Sequence, residues 1–179
     1  MSPQPSPRTQ RTQDAIADAA RTILKTKPVK NLSMVSLAET SQIARATVYN
    51  HVSEKSDIYA LISKSYQKDF KTLISENQEL VAGLKALADF VANDAAVQGL
   101  AKHDPKSLNQ VISHIHTMPD EIAKILMDAL LSWNVSADLI SADVVVRWIT
   151  SHAIAPGSQS EREVGAEVLA NALKKDAGV

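Results

Sequence analysis

Apolar residues recur at intervals of three and four positions along most of this chain, which is the spacing of residues on one face of an α-helix. In the first third of the sequence, this pattern predicts helices at about 14–26, 37–41 and 44–51, followed by a long helix that Ser53 can cap. Two serines could cap the second helix, because a serine hydroxyl accepts a hydrogen bond from a free backbone N–H at a helix start. Ser36 stands three residues before Glu39, which is capping-box spacing, whereas Ser33 would start the helix one turn earlier.

The remaining two thirds of the sequence continue at helical spacing. The cleanest apolar stripe contains Ile122, Ile125, Leu126, Ala129, Leu130 and Trp133, and the last two helices are predicted at about 141–155 and 160–175. The chain contains 25 alanines and 5 glycines, and alanine is the best helix former whereas glycine is among the worst. Pro28, Pro105, Pro119 and Pro156 fall between the apolar segments, where they would end helices without interrupting them. The sequence therefore predicts an all-α fold.

Three features of the composition narrow the class of protein. The absence of cysteine excludes disulfides, thiol nucleophiles and cysteine metal sites, and it suits the reducing cytoplasm. No apolar run approaches the roughly 20 residues that cross a membrane. Residues 1–13 are rich in Pro, Ser, Gln and Thr and have no apolar core, so we expect a disordered tail and no signal peptide. These features together predict a cytoplasmic protein without a membrane-bound segment.

The charges are distributed unevenly along the chain. Residues 1–60 contain eight Lys/Arg and five Asp/Glu, a net charge of +3, whereas residues 61–179 contain eleven and fifteen, a net charge of −4. A basic N-terminal part on an acidic body is typical of a nucleic-acid-binding head. The excess of positive charge in residues 1–60 is small, and it is also common in proteins that bind no nucleic acid. The charge alone is therefore weak evidence for nucleic-acid binding.

The segment from Leu37 to Lys55 contains the pattern that points to a function. Its apolar residues Leu37, Ala38, Ile43, Val48 and Val52 would form a small core that holds two short helices together. The residues between them form hydrogen bonds, and a short helix of this kind fits the major groove of B-DNA, which is about 12 Å wide. Arg45 could reach guanine O6 and N7, Ala46 could touch a thymine methyl group, and Tyr49 is a third candidate for a base contact. The candidates for phosphate contacts are Ser33, Thr47, Asn50, His51 and Lys55.

This segment resembles the DNA-binding domain of the TetR-type transcriptional repressors. In that family the domain typically ends in Thr, a hydrophobic residue, Tyr, any residue, His and Phe or Val, with Lys three residues later. The stretch Thr47-Val48-Tyr49-Asn50-His51-Val52 with Lys55 matches this pattern position by position, and Leu37-Ala38-Glu39 matches the family's second helix. The close resemblance covers about residues 14–61. It departs at Gln42, where the family usually has Gly in the turn, and at Ala44, where it usually has Ser or a similar cap. The glycine that closes the family's first helix is also absent, with Lys27-Pro28 nearby.

The resemblance implies a division of the chain and a set of partners. Residues 14–54 would form the helix-turn-helix DNA-binding domain, and residues 55–179 a helical effector-binding and dimerisation domain. The protein would then be a ligand-responsive transcriptional regulator, expected to be a repressor, that binds a palindromic operator in double-stranded DNA as a homodimer and needs no cofactor. The last two helices would pair with those of a second copy, with Trp148, Ile149, Val168 and Leu169 at the interface. A small-molecule effector would bind in a pocket lined by Tyr66, Phe70, Phe90, His114, Met118, Met127 and Trp133.

Other classes of function stay open on the sequence alone. The helices could form a protein-interaction module without sequence-specific DNA binding, in which Tyr49, Asn50 and His51 would be buried or would face another protein. An enzyme is not expected, since the sequence contains no GxSxG motif and no phosphate-binding glycine loop. A metal site is not expected either, because His114 and His116 are two residues apart and would point to different faces of a helix.

Overall fold

The computed structural model of this protein describes residues 6–117, 120–135 and 138–175, with the backbone alone for 114–117, 120 and 175. Within these ranges the structure contains ten α-helices, one 3₁₀ turn at Val29–Asn31 and no strand, which confirms the all-α prediction. The helices are α1 Pro7–Leu24, α2 Met34–Ser41, α3 Arg45–His51, α4 Lys55–Glu76, α5 Leu80–Asn93, α6 Ala95–His103, α7 Pro105–Thr117, α8 Asp120–Ser132, α9 Leu139–Ile154 and α10 Gln159–Lys175.

Helix α1 begins earlier than the sequence pattern predicted. It starts at Pro7 and not at Asp14, so the prediction of a disordered tail is wrong for residues 7–13. Ser6 caps the helix by accepting a hydrogen bond from the Thr9 amide, and proline suits the first helical position because its φ is already helical and it has no N–H to leave unpaired. These residues carry no apolar stripe, so a pattern of burial could not reveal them.

The helices form a head and a body that share one core. The head comprises α1, α2 and α3, the body comprises α5 to α10, and α4 packs along α1 and continues to α5 and α8. Within the body, α5 packs against α9 and α10, while α6 lies against α1 of the head. The largest fully buried side chains of this continuous core include Ile16, Leu37, Val48, Ile58, Leu84, Leu126 and Ile149.

Aspartates at the helix starts organise the body. Asp94 caps α6 by accepting hydrogen bonds from the amides of Ala96 and Val97, and Asp138 caps α9 by accepting from the Ser141 amide at 2.7 Å. A carboxylate at a helix N-terminus pairs with free amides and with the positive end of the helix dipole. In the described part of the chain, no helix is both long enough and apolar enough to cross a membrane.

Candidate nucleic-acid interface

The start of α2 is fixed by a reciprocal pair of serines. Ser33 is the N-cap residue, and its hydroxyl accepts a hydrogen bond from the Ser36 amide at 3.1 Å. The Ser33 amide in turn donates to the Ser36 hydroxyl at 3.0 Å, so both serines satisfy backbone groups at the helix start. The structure therefore selects the earlier of the two predicted caps. Ser33 is exposed, but its hydroxyl also donates to the Ser36 hydroxyl at 3.1 Å, which weakens it as a candidate phosphate contact.

The turn between α2 and α3 contains two of the positions at which the sequence departs from the family pattern. Gln42 ends α2 in the left-handed conformation, with φ 56° and ψ 27°, which is the geometry that glycine adopts without strain. A side chain in this conformation costs roughly 1 kcal/mol. Ala44 is the N-cap of α3 and makes no side-chain hydrogen bond there. The expected turn therefore forms in spite of Gln42 and Ala44, although it is less stabilised than one with a glycine and a serine.

Buried valines hold α3 against the rest of the head. Val48 and Val52 are fully buried together with Leu37 of α2, and Ala38 is also buried. Ile43 in the turn is half-buried and packs against the same cluster. This is the small core that the sequence predicted for the two short helices. Because Val48 faces inward, the opposite side of α3 faces solvent.

The outward side of α3 presents the predicted base-contacting residues. The Arg45 side chain is 61% exposed and Tyr49 is 55% exposed, one helical turn apart on the same face. Ala46 and Asn50 are exposed beside them, while Thr47 and His51 are half-buried at the edges.

Arg45 is held only weakly in its position. Its Nη2 atom lies 3.3 Å from the Glu39 Oε1 atom, and the side chains of both residues are mostly exposed. An exposed ion pair of this kind contributes about 0–1 kcal/mol. A guanine or a phosphate can therefore displace Glu39 at little cost in free energy.

The start of α4 differs from the prediction in its cap. Glu54, and not Ser53, is the N-cap residue, and the Asp57 carboxylate accepts hydrogen bonds from the amides of Ser53 and Glu54 at 2.7 and 3.1 Å. Lys55 is the first helical residue and is exposed, as a phosphate contact requires. The carboxylates of Glu54 and Asp57 oppose an anion at this helix end. Of the charged groups at this helix end, the Lys55 ammonium group is therefore the one that attracts an anion.

Only some of the predicted pocket residues lie together. Tyr66, Phe70 and Phe90 form an aromatic cluster, in which the Phe90 ring centroid is 6.0 Å from that of Tyr66 and 5.7 Å from that of Phe70. Trp133 lies elsewhere in the core, where its ring fills the space beside Gly83 and its indole N–H donates to the Asn77 carbonyl at 2.7 Å. Met127 is half-buried on α8. The side chain of His114 and the whole of Met118 lie outside the described residues.

The aromatic cluster adjoins a charged network that no pattern in the sequence predicts. Arg21 of α1 lies over the Tyr66 ring, 4.3 Å from its centroid, and contacts both Asp69 and Asp94. Burial alone would raise the pKa of Asp94, but hydrogen bonds from Arg21, the Val97 amide and Tyr66 outweigh it and hold that pKa below its usual value. Burial and the neighbouring Asp94 raise the pKa of the Tyr66 hydroxyl. No local motif signals this network, because Arg21 and Asp94 are 73 positions apart. An open cleft of about 540 Å³ borders it on the side of Phe90.

The last two helices expose apolar side chains. Val164 and Val168 of α10 are 55% and 64% exposed and lie one turn apart, and Val144 of α9 is also exposed. Trp148, one turn beyond Val144, packs on Gly165 of α10, so these residues lie side by side. We call Val144, Trp148, Val164 and Val168 the α9–α10 surface.

One predicted interface residue is misplaced. Leu169 is half-buried beside the α9–α10 surface, but Ile149 is only 1% exposed and belongs to the core of its own chain. The prediction that Ile149 contacts a second copy is therefore wrong. The helical pattern that suggested it marks the inward face of α9.

The fold is similar to those of two solved transcriptional regulators. The TetR family repressor AlkX from Dietzia sp. strain DQ12-45-1b, implicated in biodegradation of n-alkanes, superposes with a TM-score of 0.67 and 18% identity over 90% of this chain and 97% of that chain. The dihydroxyacetone kinase operon activator DhaS superposes with a TM-score of 0.60 and 16% identity, over 91% and 96%. No protein-family model and no curated protein sequence matches this chain. The structure therefore has the TetR-type fold, with an N-terminal helix-turn-helix head and a helical body.

Proposed function

We propose that this protein is a transcriptional regulator that binds a palindromic operator in double-stranded DNA as a homodimer. The observation that carries the proposal is the outward face of α3, where Arg45 and Tyr49 are exposed one turn apart on a helix held by the buried Val48. A short helix anchored on one side and polar on the other fits the major groove. The TetR-type fold supports the same function, since both structural neighbours are transcriptional regulators.

The protein-interaction alternative is less well supported. It required Tyr49, Asn50 and His51 to be buried or to face another protein, whereas Tyr49 and Asn50 are exposed and His51 is half-buried. Arg45 also adds a positive charge to the exposed face of α3, which suits a polyanion. If the surface docks a protein, the purified chain selects no DNA sequence.

The DNA contacts are tested by selecting binding sites from a random library of DNA duplexes and measuring affinity by fluorescence anisotropy. We expect Arg45→Ala to relax the sequence preference at one position of each half-site, with a loss of about 1–3 kcal/mol for the preferred base. We expect Lys55→Ala to weaken binding to all sequences alike and to reduce the salt-dependence slope by about 1 for each phosphate that the variant no longer binds. Failure of the unmodified protein to enrich any sequence would contradict the proposal.

The homodimer is supported by the α9–α10 surface. Apolar side chains at this exposure favour association, because each one gains free energy when it is removed from water. Two copies related by a twofold axis would present two heads to half-sites about one helical turn, roughly 34 Å, apart. We expect Val168→Asp to shift the protein toward monomer in sedimentation experiments and to abolish cooperative operator binding. Val111→Asp, at an exposed valine of α7 outside this surface, is the matched control and should leave the association unchanged.

We further propose that the protein acts as a repressor, because occupancy of an operator blocks transcription without any additional contact. One structural neighbour is a repressor and the other an operon activator, so the fold by itself does not determine the direction of regulation. A reporter gene placed behind the selected operator tests this. Expression should fall when the protein is present, and a rise would contradict repression.

A further inference from the structure

We propose that Arg21 is the positioning residue that fixes the orientation of the head relative to the body, and that it thereby limits the half-site spacing that the dimer accepts. The part of this inference that concerns DNA rests on the proposed function. The part that concerns orientation rests on contacts within the chain and does not depend on DNA binding. Arg21 itself belongs to α1 and has no predicted contact with DNA.

The Arg21 guanidinium group joins the head to two separate elements. Its Nη1 atom donates to the Asp69 carboxylate at 2.6 Å and to the Ser65 hydroxyl at 3.0 Å, both on α4. Its Nη2 atom donates to the Asp94 carboxylate at 2.8 Å, at the junction of α5 and α6. The side chains of Arg21 and Asp94 are only 17% and 9% exposed. Because the guanidinium group is planar and its donors point in fixed directions, these bonds specify an orientation as well as a distance.

Asp94 connects the Arg21 contact to the start of α6. While one of its carboxylate oxygens accepts from Arg21, the other accepts from the Tyr66 hydroxyl at 2.8 Å and from the amides of Ala96 and Val97 at 3.0 and 2.9 Å. The same side chain therefore caps α6 and binds the head. A rotation of the head that breaks the Arg21 contact leaves a mostly buried carboxylate without its charge partner, which opposes the rotation.

Helix α6 is attached to the head at two further places. Asp104, immediately after α6, accepts a hydrogen bond from the Val29 amide at 3.1 Å. Between the two ends, the backbone of Gly99 lies so close to the Leu24 carbonyl that an added Cβ atom would be 2.2 Å from that oxygen. Helix α6 thus follows the end of α1 and the 3₁₀ turn after it, and Arg21 holds the N-terminal end of this contact.

The other polar links between α1 and α4 are more exposed. Lys68 bonds Asp14 at 3.0 Å with its side chain 67% exposed, and Lys64 contacts Gln10 at 3.4 Å on the surface. Exposed pairs contribute little and rearrange easily. Several ion pairs of the described residues join the head to other elements. Those of Arg21 are the least exposed, so they are the ones able to resist a rotation of the head.

The orientation is tested directly by electron–electron distance measurements between two spin labels. The chain contains no cysteine, so Thr40→Cys on α2 and Lys124→Cys on α8, both exposed, provide one label on the head and one on the body. We expect Arg21→Met to broaden the distribution of head–body distances about twofold, because several orientations become populated. Lys85→Met, which removes a half-buried ion pair with Asp89 within α5, should leave the distribution unchanged. An unchanged width for Arg21→Met overturns the inference.

A second measurement connects the orientation to DNA. Sites selected by the unmodified protein from a random duplex library should share one half-site spacing, whereas those selected by Arg21→Met should include spacings that differ by about one base pair, roughly 3.4 Å. The half-site sequence itself should not change. If both proteins select one and the same spacing, Arg21 does not limit the half-site spacing, and that part of the inference is overturned. If the unmodified protein selects no site at all, the proposed function is contradicted, and the distance measurement alone tests the orientation.

Arg21→Met leaves the Asp94 carboxylate without its charge partner, which destabilises the fold. A second variant removes this effect. Asp94→Asn retains a good helix cap and removes the charge, so the double variant Arg21→Met/Asp94→Asn has no buried unpaired charge at this position. We expect it to show the same broadened distances with a higher melting temperature than Arg21→Met. A double variant that folds and keeps the narrow distribution also overturns the inference.

Discussion

Gly99 lies where α6 crosses the end of α1, and we predict that Gly99→Ala destabilises the protein. An alanine Cβ atom at this position would be 2.2 Å from the Leu24 carbonyl oxygen and 2.5 Å from the Lys25 carbonyl oxygen. An ordinary contact between carbon and a carbonyl oxygen is about 3.3 Å or longer, so the two helices must separate by roughly 1 Å. The obstacle is backbone, which cannot rotate away as a side chain can.

Two opposing effects set the size of the change. Alanine is more favourable than glycine in a helix by about 1 kcal/mol, because glycine loses more backbone freedom on folding. Insertion of a methyl group into a well-packed contact costs about 1–3 kcal/mol. Because the added Cβ atom would lie only 2.2 Å from the Leu24 carbonyl oxygen, we expect a cost at the upper end of this range. The free energy of unfolding should therefore fall by about 2 kcal/mol, which lowers the melting temperature of a chain of this size by about 4–8 °C.

The change is measured by thermal and urea denaturation, followed through the helical circular dichroism signal. Ala60→Gly, at an exposed position inside α4, is the control for helix propensity and should itself lower stability by about 1 kcal/mol. If Gly99→Ala is neutral or stabilising, the gain in helix propensity exceeds the cost of the steric contact. That result would refute the close approach of α6 to α1.

Two further predictions concern single side chains. Ala44→Ser should raise the free energy of unfolding by about 1 kcal/mol, because it supplies the missing hydrogen bond at the start of α3; an unchanged or lower melting temperature would contradict the assigned cap. Burial lowers the pKa of His152 below its usual value of 6.5. As the pH falls below about 6.5, the unfolded state therefore takes up a proton before the folded state does, and the free energy of unfolding should decrease. In His152→Phe, melting curves at pH 7.5 and 5.5 should differ less than in the unmodified protein, and an equal difference would rule out His152 as the cause.

The sequence by itself determined the all-α class and the helix-turn-helix head. The signals for the head lie within a few residues of one another: Ser33 before α2, the buried Val48 and Val52, and the polar positions of α3 between them. Such short-range patterns survive in the sequence because a helix cap or a helix face is made by neighbours along the chain. The strain at Gln42 and the missing cap at Ala44 could be anticipated for the same reason.

The tertiary structure decided how the head is joined to the body and which side chains are available. Arg21 meets Asp94 across 73 positions, and the side of α9 that buries Ile149 becomes clear only when α9 packs against α5. Helical spacing shows that an apolar face exists, but it does not say whether the face meets the chain's own core or a second copy. Contacts between distant residues depend on the packing of whole helices, and no pattern of adjacent residues records them.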